Sequence, residues 1–217
     1  ATISAAQRPA PAMTRIQIGI LHKAEEVSLL CEGRCSVTDA MGETHALAAG
    51  KTYRVEPSQD GLLLGSIFLA AETRVAPQDP SKVIVIGGRR YPGTLILRLN
   101  GDGTIAVVDE LGIEDYLLGV LPHEMDPAWP LEALKAQAVV ARTFAYTQLG
   151  KYRKAGFDLT SDTRSQMFGG LGGEAASIRR AVAETRGEVL GYKGKILSVY
   201  YHSCCGGHTA DAGSVWG

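Results

Sequence analysis

The first half of the chain alternates between hydrophobic and polar positions. Ile16, Ile18 and Ile20 are separated by single polar or small residues, a period typical of a half-buried β-strand. Further short hydrophobic runs follow up to about Gly65, each bounded by a turn that contains glycine: 27–31, 35–39, 45–48 and 52–55. The pattern predicts a small antiparallel β unit.

A second group of short runs continues this β pattern over residues 83–86, 94–99 and 104–108. The last two runs are separated by Asn100-Gly101-Asp102-Gly103, a strong signal for a hairpin turn. We expect β-structure to continue as far as Val108.

After Val108 the hydrophobic period lengthens to about 3.6 residues, which predicts helices. A short helix is expected to end at Pro122, because proline removes a backbone donor and clashes with the preceding turn. A long helix is expected from Pro130 to Gly150, with one apolar stripe. A shorter helix is predicted over 175–185, followed by strands over 188–192 and 195–201.

These elements indicate an α+β fold, in which a β-rich N-terminal portion packs beside a mixed α/β portion with one long central helix. We expect residues 1–12 to be a flexible leader, because they are small, polar and contain proline. Residues 13–80 would form the β-rich subdomain, and residues 81–217 the portion that contains the long helix.

The composition and charge of the chain argue against some classes of function. Lys plus Arg (22) nearly equals Asp plus Glu (23), so no basic surplus favours nucleic acid as a partner. No apolar run approaches the roughly 20 residues of a membrane-spanning helix, and we expect no transmembrane segment. The four cysteines form two close pairs, Cys31/Cys35 and Cys204/Cys205. An even number permits disulfides in an exported protein but does not fix the compartment.

Glu124 is a candidate general acid, because it falls at the break between two predicted helices, near Met125 and Trp129. Apolar neighbours can raise the pKa of a carboxyl group into the range that acid catalysis needs. The alternative is a solvated carboxylate near the start of the next helix.

Lys135 and Arg142 lie seven residues apart, and therefore on one face of the long helix. They could orient a substrate that bears a carboxylate or an N-acetyl group, since arginine offers a planar fork of donors. The alternative is that both are solvated. The segment Ser161–Gln166 could supply hydrogen bonds to sugar hydroxyls, or could form an ordinary polar turn.

A third cluster places four metal-binding residue types within seven positions: His202, Cys204, Cys205 and His208. Thiolate and imidazole are preferred ligands of zinc, so the cluster is a candidate Zn²⁺ site, structural or lining a cleft. The alternatives are a buried thiol pair, cysteines bonded to other partners, or a Cys/His nucleophile with an unidentified third group. No organic cofactor is expected.

Several separated motif blocks follow one another over about residues 94–217. They comprise 113–120 (IEDYLLGV), Glu124-Met125, 129–143 (WPLEALKAQAVVART), Asp162, Ser165-Gln166, Gly169, 185–187 (TRG), 200–203 (YYHS), 206–209 (GGHT) and Val215-Trp216. In content and in order, these blocks resemble the stage II sporulation protein D family, which also includes the amidase enhancer LytB.

This resemblance implies a lytic transglycosylase that cleaves glycan strands of bacterial peptidoglycan, preferably those stripped of stem peptides. The family's catalytic glutamate falls on Glu124, so residues 81–217 would be the catalytic domain. Lys135 and Arg142 fall on the family's basic helix positions, and Gln166, Tyr201 and His202 on its cleft blocks. All five are therefore expected to contact substrate.

The resemblance also implies zinc near the cleft in some members, which favours His202, Cys204, Cys205 and His208 as ligands. Members usually continue beyond the position of Gly217, so a C-terminal truncation is expected. A role outside the cytoplasm follows from the implied substrate. The alternative function is a non-catalytic, peptidoglycan-binding enhancer of a cell-wall amidase, with that amidase as a partner.

Overall fold

The computed structural model describes residues 4–6, 15–172, 174–202, 204 and 206–216. The fold is α+β, in agreement with the sequence prediction. Its helices are α1 (Ile113–Glu124), α2 (Leu131–Gln148), α3 (Ala176–Glu184) and α4 (Ala212–Trp216), with a short 3-10 helix at Arg153–Ala155. The strands are β1 (Ser4–Ala6), β2 (Arg15–Ala24), β3 (Val27–Cys31), β4 (Cys35–Asp39), β5 (Thr44–Leu47), β6 (Lys51–Pro57), β7 (Gly61–Leu64), β8 (Ile67–Ala70), β9 (Glu72–Pro77), β10 (Ile84–Ile86), β11 (Arg89–Tyr91), β12 (Thr94–Leu99), β13 (Ile105–Gly112), β14 (Leu159–Thr160), β15 (Val189–Tyr192) and β16 (Lys195–Ile196).

Two larger sheets contain most of the strands. One has seven strands in the order β14-β2-β13-β12-β9-β4-β5, and the other has six in the order β11-β10-β3-β6-β7-β8. Within the seven-stranded sheet, β14 pairs with β2 in parallel, whereas β2 pairs with β13 in antiparallel register. The predicted hairpin is present, because β12 pairs with β13 across Asn100–Gly103.

Both sheets cross the boundary predicted between residues 80 and 81. Strand β2 pairs with β13, β9 pairs with β12, and β3 pairs with β10. One continuous hydrophobic cluster also contains Leu29 and Val37 from the first part together with Tyr116 and Leu134 from the second. The two predicted portions therefore share their sheets and their core.

The helices follow the apolar pattern, with one difference. The long helix α2 begins directly after Pro130 and ends just before Gly150, where proline and glycine predicted its limits. Helix α1 does not end at Pro122 but continues to Glu124. Because Pro122 lies in the last turn, the helix continues only two residues beyond the proline.

The N-terminal and C-terminal segments also differ from expectation. Ser4–Ala6, predicted to belong to a flexible leader, pairs with Val189–Gly191 of β15, and the other residues of 1–12 lie outside the described part. The strand predicted over 195–201 is limited to Lys195–Ile196. Among the described residues, no helix combines the length and apolarity needed to cross a membrane.

One carboxyl group is buried inside this core. Asp109 on β13 is fully buried, and neither of its carboxylate oxygens has a hydrogen-bond partner among the described residues. Burial raises the pKa of Asp109 to about 8, although the backbone of Gly93 and the guanidinium of Arg15 oppose the shift. The group is therefore held largely protonated at neutral pH.

Candidate active site

A cleft of about 370 Å³ lies between the end of α1, the face of α2 and the polar segment after β14. Its walls combine one carboxylate with hydroxyl, amide, imidazole and aromatic groups. The lining residues are His123, Glu124, Phe144, Thr163, Ser165, Gln166, Met167, Tyr200 and Tyr201.

Glu124 carries the only carboxylate among the described residues that line this cleft. It is the last residue of α1, and the next residue, Met125, has extended backbone and donates its N–H to Leu121. The side chain is half-buried. The prediction that Glu124 would project into a cleft at a helix junction agrees with this position, although the residue belongs to the helix itself.

Glycines on α1 and on the polar segment let the two walls of the cleft approach closely beside Glu124. Gly119 has no side chain, which leaves room for the ring of Phe168 and for the backbone of Gly170. Gly169 donates its N–H to the carbonyl oxygen of Gly119 over 3.2 Å, and its bare Cα lies against the imidazole of His123. The polar segment is thereby fixed to the helix that carries the glutamate.

A chain of hydrogen bonds runs through the floor of the cleft. The hydroxyl of Tyr116 donates to Gln166 Oε1 over 3.1 Å. Gln166 Nε2 in turn donates to the hydroxyl of Tyr201 over 2.9 Å and faces the carbonyl oxygen of Ala141 at 3.4 Å. Tyr116 and Gln166 are almost completely buried, so the chain has one fixed geometry.

Tyr201, the last residue of this hydrogen-bonded series, lies beside Glu124. Burial, and then the adjacent Glu124 carboxylate, raise the pKa of Tyr201 far above its usual value, against the opposing effect of Gln166. Burial also raises the pKa of Tyr116, with smaller effects from Tyr201 and Glu124. Both phenols are therefore neutral at ordinary pH, and the Tyr201 hydroxyl can donate to the Glu124 carboxylate.

The polar segment predicted over Ser161–Gln166 forms part of the cleft through Thr163, Ser165 and Gln166. Its acid does not line the cleft. Asp162 is bound by the guanidinium of Arg164 at 2.7 Å and by the hydroxyl of Thr160 at 2.9 Å, and these contacts lower the pKa of Asp162. Asp162 therefore organises the turn and remains ionised.

Arg142 does not face the cleft, contrary to the prediction. Its side chain is fully buried, and it binds Glu114 of α1 through Nε (3.0 Å) and Nη2 (2.7 Å). Its Nη1 also donates to the carbonyl oxygen of Glu188 over 3.1 Å. The guanidinium thus joins α1, α2 and the segment before β15 in the core.

Lys135 shares the helix face of Arg142, as predicted, but it does not line the cleft either. Its ammonium group contacts Glu132 at 2.8 Å and Glu184 of α3 at 2.6 Å. Hydrogen bonds to these two carboxylates raise the pKa of Lys135. The face that the sequence assigned to substrate is the face on which α3 packs.

The described members of the predicted zinc cluster, His202, Cys204 and His208, are exposed. Cys205 lies outside the described residues. Within the described ranges, no three His, Cys, Asp or Glu side chains come together in a way that could hold a metal ion. The described residues therefore do not form a zinc site by themselves, and the predicted substrate contact by His202 remains a prediction.

Four lining residues, His123, Phe144, Met167 and Tyr200, were not singled out from the sequence as site residues. Phe144 lies two positions after Arg142, hence about 200° around the helix. If α3 covers the basic face, Phe144 must lie on the other side of α2. Phe144 can therefore be assigned to the cleft only when the element that packs on each face of α2 is known.

Comparisons with known proteins agree with the motif blocks. A family model described as stage II sporulation protein matches residues 101–192. The chain is 47% identical over 133 residues to an uncharacterized protein of Brachyspira hyodysenteriae, covering 61% of this chain and 36% of that protein. It is 34% identical over 184 residues to the amidase enhancer of Bacillus subtilis, covering 83% of this chain and 25% of that protein.

A further relative is the stage II sporulation protein D of Bacillus amyloliquefaciens, which is 32% identical over 126 residues. That match covers 50% of this chain and 36% of the relative. The chain therefore spans between a quarter and about a third of the length of these curated relatives. The match to the family model includes most of the cleft, because α1, α2 and the polar segment lie within residues 101–192, whereas Tyr200 and Tyr201 lie beyond its end.

Proposed function

Because this chain belongs to the stage II sporulation protein D and amidase enhancer family, we propose that it is a lytic transglycosylase of peptidoglycan. It cleaves glycan strands, preferably strands without stem peptides, and leaves 1,6-anhydro-muramyl ends. Its place of action is the cell envelope outside the cytoplasm, since its substrate is there.

The observation that supports this reaction best is the single carboxylate in the cleft. Ordinary glycosidases use two carboxyl groups, one as acid and one as base or nucleophile. Glu124 has no second carboxylate beside it among the described lining residues, and Asp162 is held by Arg164. An intramolecular transfer needs only one carboxyl group, because the substrate supplies its own nucleophile.

In the proposed reaction, protonated Glu124 donates its proton to the glycosidic oxygen as the bond from that oxygen to the muramyl C1 breaks. The resulting carboxylate takes the proton from the C6 hydroxyl of the same sugar. The C6 oxygen bonds to C1, which closes the anhydro ring and restores protonated Glu124. Tyr201 is placed to orient the carboxylate, and Gln166 to orient Tyr201.

Substrate binding would use the hydroxyl groups along the cleft, with Tyr201 as predicted. Gln166 is buried and its amide is bound by Tyr116, Tyr201 and Ala141, so it would act through Tyr201 and not contact the sugar. Thr163 and Ser165 offer further hydrogen bonds to sugar hydroxyls, and Phe144 and Tyr200 offer aromatic surfaces for sugar rings. Lys135 and Arg142 are not part of this binding site, because both are engaged with carboxylates in the helical layer.

A second candidate is a non-catalytic enhancer of a cell-wall amidase. It is favoured by the match to the amidase enhancer of Bacillus subtilis, which extends over 83% of this chain. In that case the cleft would bind glycan without cleaving it, and Glu124 would not be required for the effect on the amidase.

The Glu124→Gln variant distinguishes the two functions. Its matched control is Glu43→Gln, at an exposed position in the β4–β5 turn. Parent and variants are incubated with peptide-stripped glycan, and 1,6-anhydro ends are counted by mass spectrometry. We expect Glu124→Gln to lose about 10²- to 10⁴-fold in rate, as for removal of a general acid, and the control to match the parent. Equal release by parent and Glu124→Gln would overturn the proposed reaction. Release no greater than without protein, with equal stimulation of an amidase by parent and Glu124→Gln, would favour the enhancer.

A further inference from the structure

A second cavity, of about 610 Å³, lies in the loop that follows α2. It is lined by Gly150, Lys151, Tyr152, Arg153, Lys154 and Ala155. We refer to residues 150–156 as the basic loop, because it contains three cations and no acid, whereas the whole chain has a net charge of −1. Lys151, Arg153 and Lys154 are all exposed.

The charges of the basic loop are not neutralised by neighbours. Arg164, Arg179 and Arg180 each contact a carboxylate within 2.7 Å. By contrast, the cations of the basic loop make no ion pair within the part of the chain that the structure describes. Lys151 lies over the ring of Tyr152 at 5.4 Å, a contact that leaves its positive charge in place.

The loop is held in one shape before any ligand arrives. Gly150 and Gly156 adopt left-handed backbone with φ of 78° and 86°, which favours glycine. The carboxylate of Asp158 accepts the N–H of Gly150 over 2.9 Å, and the ring of Tyr152 stacks on Phe157 at 5.7 Å. A fixed loop loses little conformational entropy on binding.

The basic loop and the cleft lie on either side of the same segment. Lys151 Nζ donates to the backbone oxygen of Arg164 over 3.3 Å. The neighbours of that residue in the chain, Thr163 and Ser165, line the cleft. A polymer that occupies the cleft and extends past this segment therefore reaches the cations of the basic loop.

We propose that the basic loop binds the lactyl carboxylates of peptide-stripped glycan. The inference rests on the proposed function, since it concerns the same substrate. Removing a stem peptide breaks the amide bond to the lactyl group and leaves one free carboxylate on each muramyl sugar. Strands that keep their peptides carry a neutral amide at that atom, so the loop distinguishes the two kinds of strand by the charge at the lactyl group.

The test measures binding with cleavage blocked, in the full chain carrying Glu124→Gln. Into this background we introduce Arg153→Glu with Lys154→Glu, whose side chains make no hydrogen bond in the described structure. The matched control is Arg34→Glu with Lys51→Glu, which changes the net charge equally at two exposed positions on the β3–β4 turn and β6. The probes are peptide-stripped strands and the same strands with lactyl carboxylates converted to amides.

At low ionic strength, we expect the Arg153/Lys154 variant to bind stripped strands at least about fivefold more weakly than its background, because two attractive charges become repulsive. The control changes binding by less than about twofold. On amidated strands the difference between variant and background disappears.

Equal binding of stripped strands, an equal loss in the control, or a difference that persists on amidated strands would each overturn the proposal. So would tighter binding of poly(glycerol phosphate) than of stripped glycan, since the loop would then serve a phosphate polymer. Turnover by the parent is measured separately. Charge-dependent binding without anhydro products would reject the proposed reaction alone, and anhydro products without charge-dependent binding would reject the role of the loop alone.

Discussion

Arg142 on α2 binds both carboxylate oxygens of Glu114 on α1, with Nε–Oε1 at 3.0 Å and Nη2–Oε2 at 2.7 Å. The guanidinium is fully buried, while Glu114 also accepts the backbone N–H of Gly187 over 3.3 Å. One ion pair therefore ties together the helix that ends in Glu124, the long helix and the segment after α3. Its effect on the cleft is through the placement of α1.

Arg142→Ala is expected to destabilise the fold by about 3–5 kcal/mol, because it leaves the partly buried Glu114 carboxylate without its partner. Urea unfolding followed by circular dichroism measures the change. The control is Arg180→Ala on α3, an exposed i,i+4 pair with Glu184, where the expected loss is below about 0.5 kcal/mol. Unchanged stability with weakened glycan binding would instead support the contact with substrate predicted from the sequence.

Because the pKa of Asp109 is raised on folding, the free energy of unfolding is expected to fall as pH rises. The pKa of Asp109 is raised to about 8 in the folded protein from an ordinary 3.8. Between these values the unfolded chain has released a proton that the folded chain keeps, so the slope is negative, up to about 1.4 kcal/mol per pH unit. Above pH 8 this contribution levels off.

Asp109→Asn removes this titration while keeping the shape of the side chain. We expect the variant to be more stable than the parent at pH 8 and to have a flatter profile between pH 4 and 8, measured by urea unfolding at several pH values. Asp60→Asn, at an exposed position, serves as the control. If the stability of Asp109→Asn fell with pH as steeply as that of the parent, other groups would cause the slope.

Gln166 is predicted to act as a positioning residue for Tyr201. Gln166→Ala leaves the hydroxyl of Tyr116 without its acceptor and removes the donor to Tyr201, at a cost of about 1–3 kcal/mol in stability. Because misplacing a reacting group by about 1 Å can lower a rate by about 10²-fold, we expect kcat to fall much more than KM rises.

If Gln166 only stabilised the fold, its removal would not lower kcat selectively while leaving KM nearly unchanged. The check is a double variant with Tyr201→Phe. If Gln166 acts through Tyr201, the two losses in kcat are strongly non-additive, whereas independent effects would multiply.

The predicted zinc site now depends on Cys205, because the described candidates do not come together on their own. If Cys205 completes the site, protein purified without added metal contains zinc. The Cys205→Ser variant should then lose that zinc, as measured by elemental analysis. Less than about a tenth of an equivalent in the parent, with a fold unchanged by chelator, would exclude a tight structural site.

Local sequence signals predicted the parts of the fold that local chemistry decides. Pro130 and Gly150 bound α2 within two residues, and the Asn100–Gly103 turn produced its hairpin. Strand partners were not predictable in this way, because a period of two residues shows that a strand has two faces but not which strand lies beside it. The pairing of β2 with β13 and β14 is the clearest case.

The same limit explains the outcome at the site. The spacing of Lys135 and Arg142 correctly placed both on one helix face, yet spacing cannot identify what covers that face. The match of Glu124 to a family motif located the cleft, since that information is not local. Phe144 carries no polar signal and could be assigned only from the packing of α3 on the opposite side.

The position of β2 has a consequence for biosynthesis. This strand is made before its neighbours in the sheet, because β13 and β14 begin about 90 and 140 residues later in the chain. During synthesis, β2 must wait with unpaired backbone until both emerge from the ribosome, and such non-local pairing slows folding. The pairing of β2 is therefore completed only after α1 and α2, which carry the cleft residues Glu124 and Phe144, have been made.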